Sequence, residues 1–253
     1  MAKQARRRIS ESVRAGNTPI GIFVTSVDPA ASTIMGAAGF DFVILDCEHG
    51  PMDKVTALQH IRAAGAWPML TFIRTLEATP QSIQAYFDIG ANGVMVPKIE
   101  TAEQARRAVA ASRYQPGGRG MCPGCESALY SSDTWLAHVA EANDGNIIIP
   151  LIETRAGMAN LKEIVAVEGV ELVMFGPGDL SQDLGLDLFT QKEQLYGLWA
   201  DFAKTVHDAG KLAMVPAGFD FEGADVLVNS MDLKLLRTAA DQIVARHRAT
   251  PAA

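Results

Sequence analysis

The stretch FVILDCEHGPMD sets Asp46, Glu48 and His49 directly behind an apolar run. On an extended strand Asp46 and Glu48 fall two apart and project to one face, while His49 stands where the strand gives way to a loop. A histidine titrates near neutrality, so one flanked by two carboxylates suits general acid–base work, directly or through a metal-bound water. The same pattern recurs down the chain. Arg74 ends PMLTFIR, Lys98 ends GVMVPK, Glu153 ends NIIIPLIE, and Asp179 follows VELVMFG in the turn GPGD.

Glu153 and Asp179, on successive apolar runs, could share a hard divalent cation such as Mg²⁺ or Mn²⁺, with waters completing the octahedron. The competing role for each is a helix N-cap. Gly176 and Gly178 bracket Pro177 and could offer backbone N–H groups to a carboxylate. Amides for a carboxylate beside a metal for its neighbouring oxygen would hold a 2-oxo acid, and Arg74 could stabilise the negative charge that develops as C3 becomes carbanionic. The competing partners for Arg74 are Glu77 and Asp88, in a surface ion pair. Lys98 could form a Schiff base, though the metal pair makes that route unnecessary. Cys122 and Cys125 have CxxC spacing, but no second CxxC or CxxxH follows to complete a zinc site. His60, His138, His207 and His247 lie in helical stretches and are assigned no role.

Eight short β-branched runs carry these groups: PIGIFVTS, FDFVILD, PMLTFIR, GVMVPK, NIIIPLIE, VELVMFG, KLAMVP and ADVLVN. Several are continuously apolar, as parallel strands covered by helices require, and the intervals DKVTALQHIRAAG, TPQSIQAYFDIG, TAEQARRAVAAS and GMANLKEIVAVEG repeat with helical period. Asp53, Thr79 and Thr101 stand at N-cap positions, and Gly65, Gly90, Gly169 and Gly210 at helix stops. The pattern predicts a (β/α)8 TIM barrel, one domain over 1–253, whose strand ends converge on a single mouth. Two places break the rhythm. Residues 115–132, QPGGRGMCPGCESALYSS, form a Gly/Pro-rich excursion typical of an active-site loop. Between strands seven and eight, AGFDFEG is too short for a crossover helix.

At 253 residues and 48% hydrophobic content the chain can bury a barrel core. Its 29 acidic against 22 basic residues give a formal charge of −7 without a basic stripe, so nucleic acid is excluded as a partner. Cys47, Cys122 and Cys125 make no disulfide framework and suit a reducing cytoplasm. No run is apolar enough for a membrane span. The Arg-rich opening MAKQARRRISESVRAG reads as an amphipathic helix closing the barrel bottom rather than a transit peptide.

The segments DFVILDCEHGP, RT after strand three, DIGANGVMVPKIETAEQA, RYQPGGRG, IETRAGMANL and GPGDLSQDLG resemble the class II pyruvate aldolases of the HpcH/HpaI type, from about residue 19 to 188. The resemblance implies His49 as acid/base supported by Asp46 and by Asp88, the latter from an adjacent subunit. It implies Arg74 as enolate stabiliser, Glu153 and Asp179 as ligands of a divalent metal (Mg²⁺, Mn²⁺ or Co²⁺) with Glu48 reaching it through water, and the Gly178 and Asp179 amides as the pyruvate carboxylate site. It further implies a homo-oligomer, a hexamer with an exchanged C-terminal helix. Where some relatives have a glutamine two residues before the metal glutamate, this chain has Leu151. That difference, the shortened segment between strands seven and eight and the loop GMCPGCESALYSS bear on the aldehyde and not on pyruvate. The activity implied is reversible cleavage of a 4-hydroxy-2-oxo acid, such as 4-hydroxy-2-oxoheptanedioate or a 2-keto-3-deoxy sugar acid, to pyruvate and an aldehyde. A CoA-thioester lyase of the citramalyl or malyl-CoA type is the alternative enzyme, and a non-catalytic barrel the alternative from another class.

Overall fold

The computed structural model describes residues 9–219 and 221–249. Eight parallel strands close into a barrel in chain order: β1 Ile20–Val24, β2 Phe42–Asp46, β3 Leu70–Arg74, β4 Gly93–Val96, β5 Ile147–Ile152, β6 Leu172–Phe175, β7 Leu212–Pro216 and β8 Val226–Met231. Seven lie within the runs read from the sequence, and β8 begins in ADVLVN and continues two residues past it to Met231. The helices are α1 Ala30–Ala38, α2 Lys54–Ala64, α3 Pro80–Asp88, α4 Ala102–Ala111, α5 Trp135–Gly145, α6 Arg155–Ala159, α7 Leu161–Val165, α8 Pro177–Leu184, α9 Lys192–Asp208 and α10 Asp232–Ala249.

Local chemistry sets these boundaries. Asp53, Thr79 and Thr101 accept from the backbone N–H three residues on, and Thr101 completes a capping box with Gln104. GMANLKEIVAVEG, read as one helix, is two short ones, α6 and α7, which meet at Asn160. Between β7 and β8 there is no helix among the described residues, as AGFDFEG predicted.

Side chains alternate across each strand, so every second residue enters the barrel. The inward set includes Phe42 and Ile44 of β2, Phe72 of β3, Met95 of β4, Ile149 and Leu151 of β5, and Met174 of β6. Gly21 and Gly93 make room for the two large rings: a Cβ on either would collide with Phe42 or Phe72, which lie 5.2 Å apart by their centroids. Residues 9–14 are helical, and Ile9, buried at 3% exposure, joins the inward cluster, which supports a bottom-closing helix. The Arg-rich part of that opening, residues 1–8, lies outside the described residues.

The 115–132 segment is not an active-site loop within this chain. It leaves the C-terminal end of α4, and a helix that returns from the mouth ends at the barrel's N-terminal face. Its contacts agree: Arg119 pairs with Asp88, the last residue of α3, and Glu126 with Arg62 in the last turn of α2. The final helix, α10, is tied to the barrel at its first residue. The buried Asp232 carboxylate accepts from the Thr25 N–H (2.9 Å), the Thr25 hydroxyl (3.0 Å) and the Ser26 N–H (3.1 Å). Beyond it Leu233, Leu236, Ile243 and Val244 are exposed.

Candidate active site

The inward register carries the chemistry to the mouth. Continuing Ile44, Phe72 and Leu151 by two residues places Asp46, Arg74 and Glu153 at the C-terminal ends of their strands, facing one another. Asp46 is fully buried and receives Arg74 through two hydrogen bonds, Nε to Oδ1 at 2.9 Å and Nη2 to Oδ2 at 2.6 Å. This pairing, with Glu48 at 3.4 Å from Arg74 Nε, replaces the surface pairing with Glu77 or Asp88. The guanidinium also lies 4.6 Å from the centre of the Phe23 ring, an inward residue of β1 that the sequence reading did not single out.

Strand β2 ends at Asp46, so Glu48 and His49 belong to the turn rather than to the strand. Asp46 Oδ1 accepts both of their backbone N–H groups, at 3.1 and 3.2 Å, which fixes the turn. Burial raises the Asp46 pKa, but the hydrogen bond and charge of Arg74, with those two amides, outweigh it and hold the carboxyl below the usual range. Glu48 Oε2 is buried without a hydrogen-bond partner among the described residues, 3.9 Å from His49 Nε2. The His49 side chain is 59% exposed, open to a substrate above the mouth.

Glu153 is 4% exposed and accepts the Lys98 N–H at 2.9 Å. Lys98 adopts φ 51° to aim that amide, an uncommon backbone for a side chain with a Cβ. Lys98 therefore contributes its backbone, while its side chain is exposed. Burial pushes Glu153 up to about 7; the Lys98 amide opposes this, and the charges of Asp179 and Glu48 add to it. The capping roles are not used. Thr154 caps α6 and Gly176 begins α8, leaving Asp179 in the first turn of α8. GPGD is thus a helix N-terminus with Pro177 first in it, and a Cβ on Gly178 would meet open space. Gly176 is required by contact: its Cβ would lie 2.7 Å from that of Glu153 and 3.0 Å from Leu151 Cδ1.

These residues fit a divalent cation. Glu48, Glu153 and Asp179 place three carboxylates against one arginine already claimed by Asp46, and one buried carboxylate oxygen has no donor. Among the described residues no three His, Cys, Asp or Glu side chains gather tightly enough to encage a metal, so a cation here would rest on Glu153 and Asp179 with substrate and water oxygens around it.

The chain from residue 19 to 244 matches the model of the HpcH/HpaI aldolase/citrate lyase family. The chain belongs to this family. The match runs past residue 188, where the sequence resemblance stopped, and takes in β7, β8 and most of α10. Among HpcH/HpaI relatives, the chain is 37% identical to a hydroxypyruvate/pyruvate aldolase of Deinococcus radiodurans over 92% of this chain and 87% of that one. It is 31% identical to a 4-hydroxy-2-oxo-heptane-1,7-dioate aldolase of Klebsiella pneumoniae, over 95% and 94%. The fold is that of an HpcH/HpaI family protein from Burkholderia cenocepacia, with a TM-score of 0.88 at 25% identity, covering 96% of this chain and all of the other.

Of the residues singled out in the sequence, Asp46, Glu48, His49, Arg74, Glu153, Gly178 and Asp179 lie on the loops and strand ends of one mouth. Asp88 does not. It ends α3 at the far face, held by Arg119 at 2.7 Å.

Two expectations follow from this geometry. Gly176→Ala should displace Glu153 and weaken Mn²⁺ binding about tenfold or more, with the fold retained; titration followed by Mn²⁺ electron paramagnetic resonance measures it. The second concerns pH. A carboxylate whose folded pKa is raised favours the folded state while protonated, so without metal this contribution is complete below the unfolded pKa and is lost as pH rises toward about 7. Cation binding needs the carboxylate, so the thermal shift produced by Mg²⁺ should grow from pH 5.5 to 8. Melting curves at both pH values, with and without Mg²⁺, give the sign directly.

Proposed function

We propose that this chain is a metal-dependent pyruvate aldolase, a carbon–carbon lyase that reversibly cleaves a 4-hydroxy-2-oxo acid to pyruvate and an aldehyde. The observation that carries the reading is Glu153, buried and pushed up to about 7 beside the charges of Asp179 and Glu48, at a mouth where the Arg74 guanidinium is already paired with Asp46. Such a site is short of positive charge until a divalent cation enters. The relatives named as aldolases support the reaction class.

In this account Glu153 and Asp179 hold the cation, which when bound draws electron density from the 2-oxo group. The Gly178 and Asp179 N–H groups, in the first turn of α8 where the helix supplies no acceptor of its own, receive the substrate carboxylate. Arg74, fixed by Asp46 and Phe23, meets the negative charge that reaches the 2-oxo oxygen when C3–C4 breaks. His49 takes the proton of the C4 hydroxyl as the aldehyde forms, and C3 is then protonated to give pyruvate. Asp46 keeps the His49 turn in place through its two amide contacts. In the synthetic direction the same groups generate the nucleophile.

The protein works as a homo-oligomer in this reading, hexameric as the sequence resemblance implies, with Asp88 serving a neighbouring subunit. The exposed apolar residues of α10 support an assembly. Its free thiols agree with the cytoplasm; among the described residues no helix is long and apolar enough to cross a membrane. The metal is Mg²⁺, Mn²⁺ or Co²⁺.

The test is cleavage of 4-hydroxy-2-oxoheptanedioate and of 2-keto-3-deoxy sugar acids, with pyruvate release followed in the presence of each metal and of EDTA. Metal-dependent release of pyruvate supports the reading. No release from any of them, together with a thermal shift on adding free CoA, would favour the CoA-thioester lyase.

A further inference from the structure

His60, given no role from its place in a helical stretch, lies fully buried on α2 against the equally buried Ser32 of α1, with Ser32 Oγ 2.8 Å from His60 Nδ1. The second ring nitrogen, Nε2, is sealed from solvent and completes no hydrogen bond with the described residues. A buried polar atom left in that state costs stability, and a fold that keeps one does so for a reason.

The surroundings of His60 supply that reason. Burial lowers its pKa and keeps the ring neutral, while the Asp232 charge, the Ser26 and Val27 backbone and the Asp28 charge pull the other way. A backbone group that favours a protonated ring is a carbonyl oxygen. The ring proton therefore belongs on Nε2, facing the loop between β1 and α1, and Nδ1 accepts from the Ser32 hydroxyl. That loop is tied on its other side, where the Asp232 carboxylate takes the Thr25 and Ser26 N–H groups. Within it the Asp28 N–H meets the Ser26 hydroxyl at 3.2 Å, and the Ala30 N–H meets the Asp28 carboxylate at 2.9 Å.

The loop backs the catalytic turn. A Cβ on Gly50 would stand 2.4 Å from the Asp46 carbonyl oxygen and 3.6 Å from the Thr25 Cα, so the residue after His49 lies directly on Thr25. Asp46 holds this turn from the barrel side through the Glu48 and His49 amides, and Thr25 holds it from the loop side. The path from His60 to His49 runs through Ser26 and Val27, Thr25 and Gly50.

We propose that His60 is a positioning residue for His49: its Nε2–H draws the loop between β1 and α1 down onto α2, and the loop holds Gly50, and with it the His49 turn, in place at the mouth. Ser32 fixes the tautomer that this requires. The kinetic consequence rests on the aldolase reading, whereas the hold on the turn does not.

Three variants separate positioning from packing. His60→Gln keeps an acceptor for Ser32 and a donor for the loop. Ser32→Ala removes only the tautomer's partner. Ser32→Ala combined with His60→Leu removes both polar groups and leaves an apolar junction, which can be nearly neutral for the fold. Hydrogen exchange read by mass spectrometry at residues 25–29 and 47–50 reports on loop and turn, and deuterium uptake by the pyruvate methyl group at varied pyruvate and fixed Mn²⁺ reports on catalysis. In the double variant both segments should exchange about tenfold faster, and pyruvate turnover should fall about tenfold at unchanged KM and little-changed melting temperature. Ser32→Ala should move both in the same direction by a few-fold, and His60→Gln should stay within about twofold of the wild type. Wild-type protection of 47–50 in Ser32→Ala and the double variant, equal changes in KM and turnover, or a turnover loss that only follows the melting temperature would overturn the proposal. Faster exchange at 47–50, in a protein whose wild type puts no deuterium into pyruvate, would support the hold on the turn and strike the aldolase reading.

Discussion

Glu153→Gln is expected to lower turnover by about a thousandfold or more and to abolish the response to added metal. The amide keeps the shape and can still accept the Lys98 N–H, but it removes one of two charges that would hold the cation. The same change should have the opposite effect on the fold. In the metal-free protein at pH 8 the carboxylate is ionised in a buried setting that favours its neutral form, with a folded pKa of about 7. Glutamine is neutral at every pH, so the metal-free variant should melt above the metal-free wild type at pH 8, and the gap should close as pH falls through 7. Activity lost while stability is gained separates a ligand from a structural residue. Wild-type activity in Glu153→Gln would remove the metal assignment.

The second large effect is expected at Arg74. Arg74→Ala should reduce enolate formation about 100- to 1,000-fold while changing the apparent affinity for pyruvate only a few-fold, because the guanidinium acts mainly on charge that appears during bond breaking. It should also destabilise the protein by about 3–5 kcal/mol at pH 8, since it leaves the fully buried Asp46 ionised without its partner. The sign with pH is opposite to that at Glu153. Asp46 has a depressed folded pKa, so in the wild type its contribution is present above the unfolded carboxylate pKa and lost only as pH falls through the folded one. Arg74→Lys keeps the charge without the two-point grip and should fall between the two. Single-turnover kinetics and melting curves for the three proteins measure both effects. Equal losses in pyruvate affinity and turnover would make Arg74 a binding residue instead.

Much of this site was legible because strand ends in a parallel barrel have one destination. Asp46, Arg74 and Glu153 each follow a β-branched run, and that placement alone brings them to one mouth across more than a hundred residues. What the continuous apolar runs hid was which face each residue takes, because outward positions in a covered barrel are as apolar as inward ones. Phe23 was missed for that reason, although it lies two residues after Gly21 in GIFV, on the face that meets Arg74. The run FDFVILD ends where β2 does, but Glu48 keeps the period and so reads as sharing Asp46's strand face, whereas Asp46 ends the strand by taking the amides of Glu48 and His49 onto its own carboxylate. The misplaced loop had a usable signal: QPGGRGMCPGC follows TAEQARRAVAAS, and a connection that leaves a returning helix opens at the barrel's bottom, however rich in glycine and proline. Backbone conformation was the least accessible. Nothing in VPKIE marks Lys98 as left-handed, since the reason for it, the Glu153 carboxylate, lies 55 residues away.

The central claim is that this mouth makes the pyruvate carbanion, and deuterium exchange at the methyl group of pyruvate tests it most directly. It is followed by NMR in D₂O with Mg²⁺, Mn²⁺ or Co²⁺, with EDTA, and with Arg74→Ala and His49→Ala. The measurement requires no knowledge of the aldehyde. Exchange that depends on metal, stops with EDTA, falls at least about 100-fold in Arg74→Ala and weakens in His49→Ala is the result this account predicts. Exchange that persists in EDTA, or no exchange with any of the three metals, would contradict it.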